Sequence, residues 1–253
     1  MKYMFASDIH GSAYYCRKML DALEKEGAER LVLLGDLLYH GPRNDLPKEY
    51  APKQVIPMLN AMKDKIYAVR GNCEAEVDQM VLEFPVMADY CILSIDGKTL
   101  YATHGHVYNQ NNLPPLCEGD ILIHGHTHVL KAEQRENYIL LNPGSVSIPK
   151  EGNPPTYAVL ENKVFTIKDF DGNIKKAIVE MVLTQTDFEL LQEHYNLADF
   201  ELLDGCYFRT ITGIFDEYIN KYKEIKQNSK GARRTLAKLF LNNLYGKLSS
   251  SDI

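Results

Sequence analysis

The chain has 253 residues, of which 45% are hydrophobic and 25% are charged, so it is an ordinary globular sequence rather than a disordered or fibrous one. A formal net charge of −6 gives no reason to expect that the whole chain binds nucleic acid. Five cysteines without a CxxC pair argue against a disulfide framework or a cysteine-based zinc site. With no secretory signal pattern and no apolar run of membrane length, a cytoplasmic protein is expected.

The first 180 residues alternate between predicted strands and predicted helices. Apolar runs predict strands at 2–7, 30–36, 65–72, 98–106, 120–128 and 137–145, and helical spacing predicts helices at 13–28 and 52–65. Residues 156–183 are predicted to form antiparallel strands with turns at Glu161-Asn162 and Asp171-Gly172-Asn173. This order favours an α/β domain in which two mixed β-sheets pack face to face.

The pattern changes near Leu183. Residues 184–197, "TQTDFELLQEHYNL", predict a helix with a capping box from Thr186 to Glu189, and Tyr, Phe and Lys then replace the Val/Ile strand pattern. We therefore place a domain boundary at residue 182, with residues 183–253 as a mainly helical appendage. Between Tyr218 and Leu248 the appendage has eight Lys or Arg and one acid, Glu224.

Side chains that can bind a metal ion follow five of the predicted strands. In chain order they are Asp8 and His10, Asp36, Asn72, His104, and finally His126 and His128. Each has a simpler explanation when taken alone, as a helix cap, a turn residue or a core histidine. Because the carboxyl ends of strands in α/β sheets face a common crevice, their joint occurrence favours one site.

The number and type of these residues favour two metal ions. Two Asp, one Asn and four His exceed what one ion needs, so two ions that share a carboxylate are the economical solution. Oxygen and nitrogen ligands without thiolate favour Mn²⁺, Fe²⁺, Zn²⁺, Ni²⁺ or Co²⁺ over Ca²⁺ or a structural zinc. Two ions about 3.5–4 Å apart can bind both the attacking and the leaving oxygen of a phosphoryl group.

The motifs D-x-H, GD, GN, TH and GHTH, in this order, resemble those of the calcineurin-like metallophosphoesterases. Over residues 1–181, "MFASDIHGS", "LGDLLYHGPRN", "AVRGNCE" and "NPGSVSIPK" resemble the small bacterial YfcE-type phosphodiesterases. The resemblance implies an αββα sandwich, with helices flanking the two sheets, that hydrolyses phosphodiesters with a hydroxide activated by two ions, Mn²⁺ being the first choice. It also implies one site from Asp8, His10, Asp36 and His128 and a second from Asp36, Asn72, His104 and His126, with Asp36 bridging.

One departure from the family pattern concerns the catalytic acid. Many relatives have His after the Asn of the GN motif, and this chain has Cys73, whose thiol is a poor acid at neutral pH. His106 is the candidate substitute, with a helix-cap role as its alternative. We therefore expect diesters and good leaving groups to react better than alkyl monoesters. Arg43 and Asn44, in "GPRN", are expected to help hold the substrate.

The appendage resembles a segment of the protein-primed family-B DNA polymerases. Lys238-x-x-x-Asn242-x-x-Tyr245-Gly246 is similar to their fingers motif, which holds the incoming nucleotide. The palm carboxylates and the exonuclease domain are missing, so we expect no polymerase activity. A fragment carried over by gene fusion is the first interpretation, and a basic helix that contacts nucleic acid is the alternative.

Two further functions compete with a phosphodiesterase. A phosphomonoesterase or nucleotidase belongs to the same chemical class, whereas a retromer subunit family uses this fold as a non-catalytic interaction scaffold. The full ligand set counts against a scaffold. A small phosphodiester is the expected substrate, no membrane is expected as a partner, and a homo-oligomer stays open.

Overall fold

The structure, a computed structural model, describes residues 1–162, 164–179, 182–195, 197, 205 and 215–249, with side chains up to residue 242. It has two compact units, Met1–Asp199 and Phe200–Ile253. The domain boundary at residue 182 stays a prediction. The helix that begins just after that position lies within the first unit.

The described residues form eleven strands and six α-helices. The strands are β1 (Tyr3–Ala6), β2 (Arg30–Leu33), β3 (Ile66–Ala68), β4 (Tyr90–Ile95), β5 (Lys98–Thr103), β6 (Asp120–His124), β7 (Lys131–Gln134), β8 (Tyr138–Asn142), β9 (Thr156–Glu161), β10 (Val164–Asp169) and β11 (Ile174–Ile178). The helices are α1 (Ala13–Glu26), α2 (Pro52–Asn60), α3 (Glu76–Val81), α4 (Gln185–His194), α5 (Asp216–Asn228) and α6 (Ala232–Ser249).

Two mixed sheets flanked by helices form the first unit, as the sequence predicted. The first sheet has the order β11-β10-β9-β1-β2-β3, and its last three strands are parallel. The second has the order β4-β5-β6-β8-β7, with β5, β6 and β8 parallel and antiparallel strands at both edges. The parallel strands place their carboxyl ends, and the loops that follow them, at one edge of each sheet.

The central strands of the first sheet are buried on both faces, and alternate residues of β1 lie on opposite sides of the sheet. Met4 and Ala6 pack in a cluster that includes residues of α1 and α2. Phe5, between them in sequence, packs with Leu100 and Ile123 of the second sheet. The apolar run of β1 therefore joins both layers, which fixes the position of the loop that follows it.

Capping interactions set the ends of two helices. The Ser12 side chain accepts a hydrogen bond from the Tyr15 N–H at the start of α1, and Gly27, with φ = 63°, caps the end of that helix. For α4 the predicted capping residues were wrong. Thr184 and Asp187 form the capping box: the Thr184 hydroxyl accepts from the Asp187 N–H, and the Asp187 carboxylate accepts from the Thr184 N–H. Thr186 therefore lies inside the helix.

The second unit contains a pair of helices, α5 and α6. The rings of Tyr222 and Phe240 lie 4.9 Å apart, and the Tyr218 hydroxyl donates to the Phe240 carbonyl. Lys238 and Asn242 of the polymerase-like motif are exposed. The side chain of Tyr245 lies outside the described part of the chain, and so does Cys206.

Two expectations about the environment of the chain concern its cysteines and its helices. Cys16, Cys73, Cys91 and Cys117 are all free thiols. In the part of the chain that the structure describes, no helix combines the length and the apolar character needed to cross a bilayer.

Candidate metal centre

The structure brings all seven predicted ligands to the carboxyl ends of strands from both sheets. Asp8 and His10 follow β1, Asp36 follows β2, Asn72 follows β3, His104 follows β5, and His126 and His128 follow β6. The two sheets therefore each supply part of a single cluster of side chains.

Three of these residues form one half of the cluster. The Nε2 atoms of His10 and His128 lie 3.3 Å apart, and Asp8 Oδ1 lies 3.6 Å and 3.2 Å from them, respectively. All three side chains are at most 4% exposed. Carboxylate oxygen and imidazole nitrogen thus converge on one small volume.

The other half of the cluster surrounds His104. Its Nε2 lies 3.0 Å from Asn72 Oδ1 and 3.2 Å from His126 Nδ1. Asn72 is exposed and His126 is half-buried, so this half opens to solvent while the other half is enclosed.

The carboxylate of Asp36 lies between the two halves. Its Oδ2 is 3.7 Å from His10 Nε2, and its Oδ1 is 3.5 Å from His104 Nε2. One oxygen therefore faces each group of imidazoles, so this carboxylate is placed where two ions could share it.

Five of the seven side chains are carried on left-handed backbone. The φ angles are 60° at Asp8, 50° at His10, 55° at Asp36, 65° at His126 and 60° at His128. This conformation costs on the order of 1 kcal/mol per non-glycine residue and is maintained only where the surroundings enforce it. Strained backbone is thus concentrated at the predicted ligands.

Backbone carbonyls set the orientation of three imidazoles. Nδ1 lies 2.7 Å from the Tyr39 carbonyl in His10, 2.6 Å from the Leu34 carbonyl in His104 and 2.7 Å from the Ile148 carbonyl in His128. Each Nδ1–H donates to its carbonyl, so each Nε2 directs a lone pair into the cluster.

The donor set fits divalent cations. Asp8 Oδ1 is buried without a hydrogen-bond donor, although two imidazoles lie close to it. Burial acts to raise the pKa of Asp8, yet His10 and His128 hold it well below the usual range. Burial likewise acts to lower the pKa of His10, yet Asp8 raises it. A cation between these groups would satisfy the carboxylate and both lone pairs at once.

Sequence analysis did not identify the residues that brace the ligands. Buried Glu74 accepts hydrogen bonds from the backbone N–H groups of Asp36 (2.8 Å), Leu37 (2.7 Å) and Gly71 (2.5 Å). The Ser145 and Ser147 hydroxyls donate to the Asp8 carbonyl. No spacing of side chains marks Glu74, because its partners are backbone N–H groups.

Both predicted catalytic residues lie beside the ligands. Cys73 is half-buried. Its Sγ atom and one ligand atom each from His10 and Asp36 all lie within 4.8 Å of one another. Burial and then the Asp36 carboxylate raise the Cys73 pKa. The ring of His106 lies 5.4 Å from that of His104. Burial is the main cause that lowers the pKa of His106, and the charge of His104 is the second. Neither is therefore a ready proton donor at neutral pH.

The predicted substrate residues lie on the loop after β2. Arg43 is exposed, and the Asn44 amide donates to the His40 carbonyl. A Cβ built on Gly41 would meet Asn44 Nδ2 at 3.3 Å and Cys73 Sγ at 3.5 Å. The loop thus brings Asn44 near Cys73, while Arg43 has no described contact with the cluster.

Comparisons with known proteins divide the chain into two parts. Residues 1–165 match the calcineurin-like phosphoesterase superfamily domain. The phosphodiesterase YfcE of Escherichia coli K12 is 50% identical over 167 residues, which are 66% of this chain and 91% of that protein. A solved structure of the E. coli phosphoesterase YfcE is 48% identical and superposes with a TM-score of 0.69, covering 70% of this chain and 98% of that one.

The C-terminal part matches a different family. Residues 158–253 match DNA polymerase type B, organellar and viral. The DNA polymerase of Bacillus phage Nf is 43% identical over 102 residues, which are 40% of this chain and 18% of that polymerase. This match begins at residue 158, inside β9, whereas the sequence analysis placed the start of the polymerase-like segment at residue 183. The chain spans less than a fifth of the length of the phage enzyme.

Proposed function

The chain belongs to the calcineurin-like phosphoesterase superfamily, and we propose that it is a metal-dependent phosphodiesterase with two divalent ions. The proposed ligands of the first ion are Asp8, His10, Asp36 and His128. Those of the second are Asp36, Asn72, His104 and His126. The position of Asp36, with one carboxylate oxygen near His10 and the other near His104, carries the proposal.

When bound, two such ions supply a nucleophile at neutral pH and neutralise charge on the phosphoryl oxygens. Mn²⁺ is our first choice because the proposed ligands are carboxylate, amide and imidazole, without thiolate. The chain's own part is to hold these ligands rigidly. Backbone carbonyls orient three imidazoles, and Glu74 fixes the backbone that carries Asp36.

We expect diesters and esters with good leaving groups to react better than alkyl monoesters, because the site lacks a strong acid. The thiol of Cys73 has a raised pKa, and the imidazole of His106 has a lowered one. An alkoxide leaving group needs a proton from such a residue, whereas a stable phenolate does not. Asn44, and Arg43 on the exposed side of the same loop, are proposed to contact the substrate.

A scaffold without catalysis does not account for these features. An interaction surface needs neither five strained ligand residues nor a buried carboxylate oxygen without a donor. The proposed setting is the cytoplasm, where the free cysteines would stay reduced.

The test is hydrolysis of bis(p-nitrophenyl) phosphate by the full chain. The protein is stripped with a chelator, and activity and bound metal are measured as Mn²⁺ is added back. We expect no activity without metal and saturation near two ions per chain. Full activity in the stripped protein, or saturation at one ion, would contradict the two-ion proposal.

A further inference from the structure

Arg70 lies on the open side of the candidate metal centre. It follows β3 and stands two residues before Asn72, a proposed ligand in the exposed half of the cluster. Its backbone N–H donates to the Ala88 carbonyl at 2.7 Å, which joins the loop after β3 to the segment before β4. Tyr90, the first residue of β4, pairs with Thr103, the last residue of β5. The backbone therefore holds Arg70 near the proposed ligands that follow β3 and β5.

The guanidinium group of Arg70 keeps donors that solvent can reach. Its Nη2 lies 2.8 Å from Asp89 Oδ1, which is the one ion pair of this side chain in the described part of the chain. Nε is buried, whereas Nη1 has no described partner and is not among the buried atoms. The side chain is 36% exposed. Because a guanidinium carries several N–H groups, the ion pair with Asp89 leaves donors for a second anion.

The positive member of this ion pair lies toward His106, the candidate acid beside the leaving group. Burial is the main cause that lowers the His106 pKa, and the charge of His104 is the second. The charge of Arg70 comes next, and it acts on His106 more strongly than the charges of Asp36 and Asp89 do. The guanidinium is therefore nearer to His106 than its own partner Asp89 is.

We propose that Arg70 binds a second anionic group, a carboxylate or a phosphate, on an ester group of the substrate. The proposed ions neutralise the charge of the reacting phosphate, so a cation beside them is available for charge elsewhere in the substrate. Because His106 adjoins the ligand His104, the second anion is expected within a few bonds of the reacting phosphate. The proposal rests on the proposed phosphodiesterase function, whose substrate class it makes more specific.

The test measures ligand binding by calorimetry with the Mn²⁺-loaded full chain at low ionic strength, where charges are least screened. Phosphoglycolate, 2-hydroxyethyl phosphate and phosphoethanolamine have ester groups of similar size that are anionic, neutral and cationic. We expect phosphoglycolate to bind about tenfold more tightly than 2-hydroxyethyl phosphate, because a hydrogen bond to a charged group is worth at least that factor. Ethane-1,2-diol bisphosphate replaces the carboxylate by a phosphate, and the tighter of the two anions identifies the preferred group. Equal binding of the anionic and neutral ligands, or tighter binding of phosphoethanolamine, would overturn the proposal.

Variants of both members of the ion pair separate anion binding from a structural role. Arg70→Gln removes the positive charge, so the preference for phosphoglycolate should fall to about twofold or less. Asp89→Asn keeps an oxygen for Nη2 and removes the competing negative charge, so the preference should rise. Arg70→Lys keeps the charge and should retain part of the preference. A lower preference in both Arg70→Gln and Asp89→Asn would show that the ion pair is only structural.

Arg135→Gln is the matched control. Arg135 is an arginine of similar exposure that pairs with Glu133, in the turn before β8 and thus at the end of the second sheet opposite the ligands. Its replacement removes the same charge and should leave the preference unchanged. A preference for phosphoglycolate that persists in Arg70→Gln would mean that the carboxylate binds elsewhere, such as at the ions, and would contradict the assignment.

Hydrolysis of bis(p-nitrophenyl) phosphate separates the two proposals, because neither of its ester groups carries a charge for Arg70. A protein that hydrolyses this diester but does not prefer anionic ligands would retain the proposed function and lose the assignment of Arg70. A protein without diesterase activity would lose both.

Discussion

The Nε2 atoms of His10 and His128 lie 3.3 Å apart, and neither can donate to the other while both Nδ1–H groups are committed to backbone carbonyls. Two lone pairs at this distance repel each other unless a cation lies between them. Asp8 adds a buried carboxylate oxygen that has no donor. The fold therefore holds these three potential ligand atoms close together by its own hydrogen bonds, as the proposed ion would require.

Replacement of Asp36 should be the most damaging single ligand change. Asp36→Asn keeps the size of the side chain and an oxygen for the Cys73 N–H, but it removes the negative charge that faces both groups of imidazoles. We expect diester turnover to fall by about 100-fold or more, since even residues that only brace ligands contribute about 10–100-fold. Metal content by mass spectrometry and diester turnover are the measurements.

Asp45→Asn is the matched control for this prediction. Asp45 is an exposed aspartate on the same loop, and its replacement removes the same charge. It should leave metal content and turnover within a factor of about two. Wild-type turnover in Asp36→Asn would show that Asp36 is not shared by two ions.

Replacement of Cys73 by His should shift the preference from diesters toward monoesters. The Cys73 thiol keeps its proton at neutral pH because burial and the Asp36 carboxylate raise its pKa, whereas an unperturbed imidazole has a pKa near 6.5. A general acid lowers the barrier most for poor leaving groups, so we expect monoester turnover relative to diester turnover to rise roughly tenfold or more. The kcat/KM values for ethyl phosphate, whose alkoxide leaving group needs a proton, and for bis(p-nitrophenyl) phosphate, whose phenolate does not, provide the ratio.

Cys117→His introduces the same residue at an exposed thiol on the loop between β5 and β6 and should leave the ratio unchanged. A constant ratio in Cys73→His, with both metals still bound, would place Cys73 away from the leaving group.

The sequence was most informative where strands are buried. The runs of β1, β2 and β6 are apolar because both of their faces are covered, and the ligands follow them directly. It did not predict β4 and β7, the two edge strands of the second sheet, which are mostly not buried. It also did not predict α3, which has only six residues and none buried. Glu74 was missed because it acts on backbone N–H groups, which no spacing of side chains reveals.

Glu74→Gln tests whether this carboxylate positions Asp36. The amide group would direct an N–H₂ toward backbone N–H groups that now donate to the carboxylate, and one such donor would remain unpaired. We expect a loss of about 1–3 kcal/mol in the free energy of unfolding and of about 10–100-fold in metal affinity. Denaturant unfolding of the metal-free protein and metal titration measure the two effects. Glu76→Gln, at an exposed position in α3, is the control, and equal effects in both variants would contradict a positioning role.

Two truncations test where the phosphoesterase ends. All seven proposed ligands precede residue 129, and β11 completes the first sheet by pairing with β10, Phe165 opposite Ile178. The E. coli relative is matched over 91% of its length without the polymerase-like part.

A chain that ends at residue 182 keeps β11 and should fold, bind both ions and retain diester turnover within a few-fold. A chain that ends at residue 170 loses β11 and leaves β10 as an unpaired edge that can pair with other chains, so it should be less soluble and unfold at a lower temperature. Size-exclusion chromatography, thermal unfolding, metal content and turnover compare both with the full chain. If the chain that ends at residue 182 lost its metal or most of its activity, the polymerase-like segment would have become part of the phosphoesterase. The boundary at residue 182 would then be wrong.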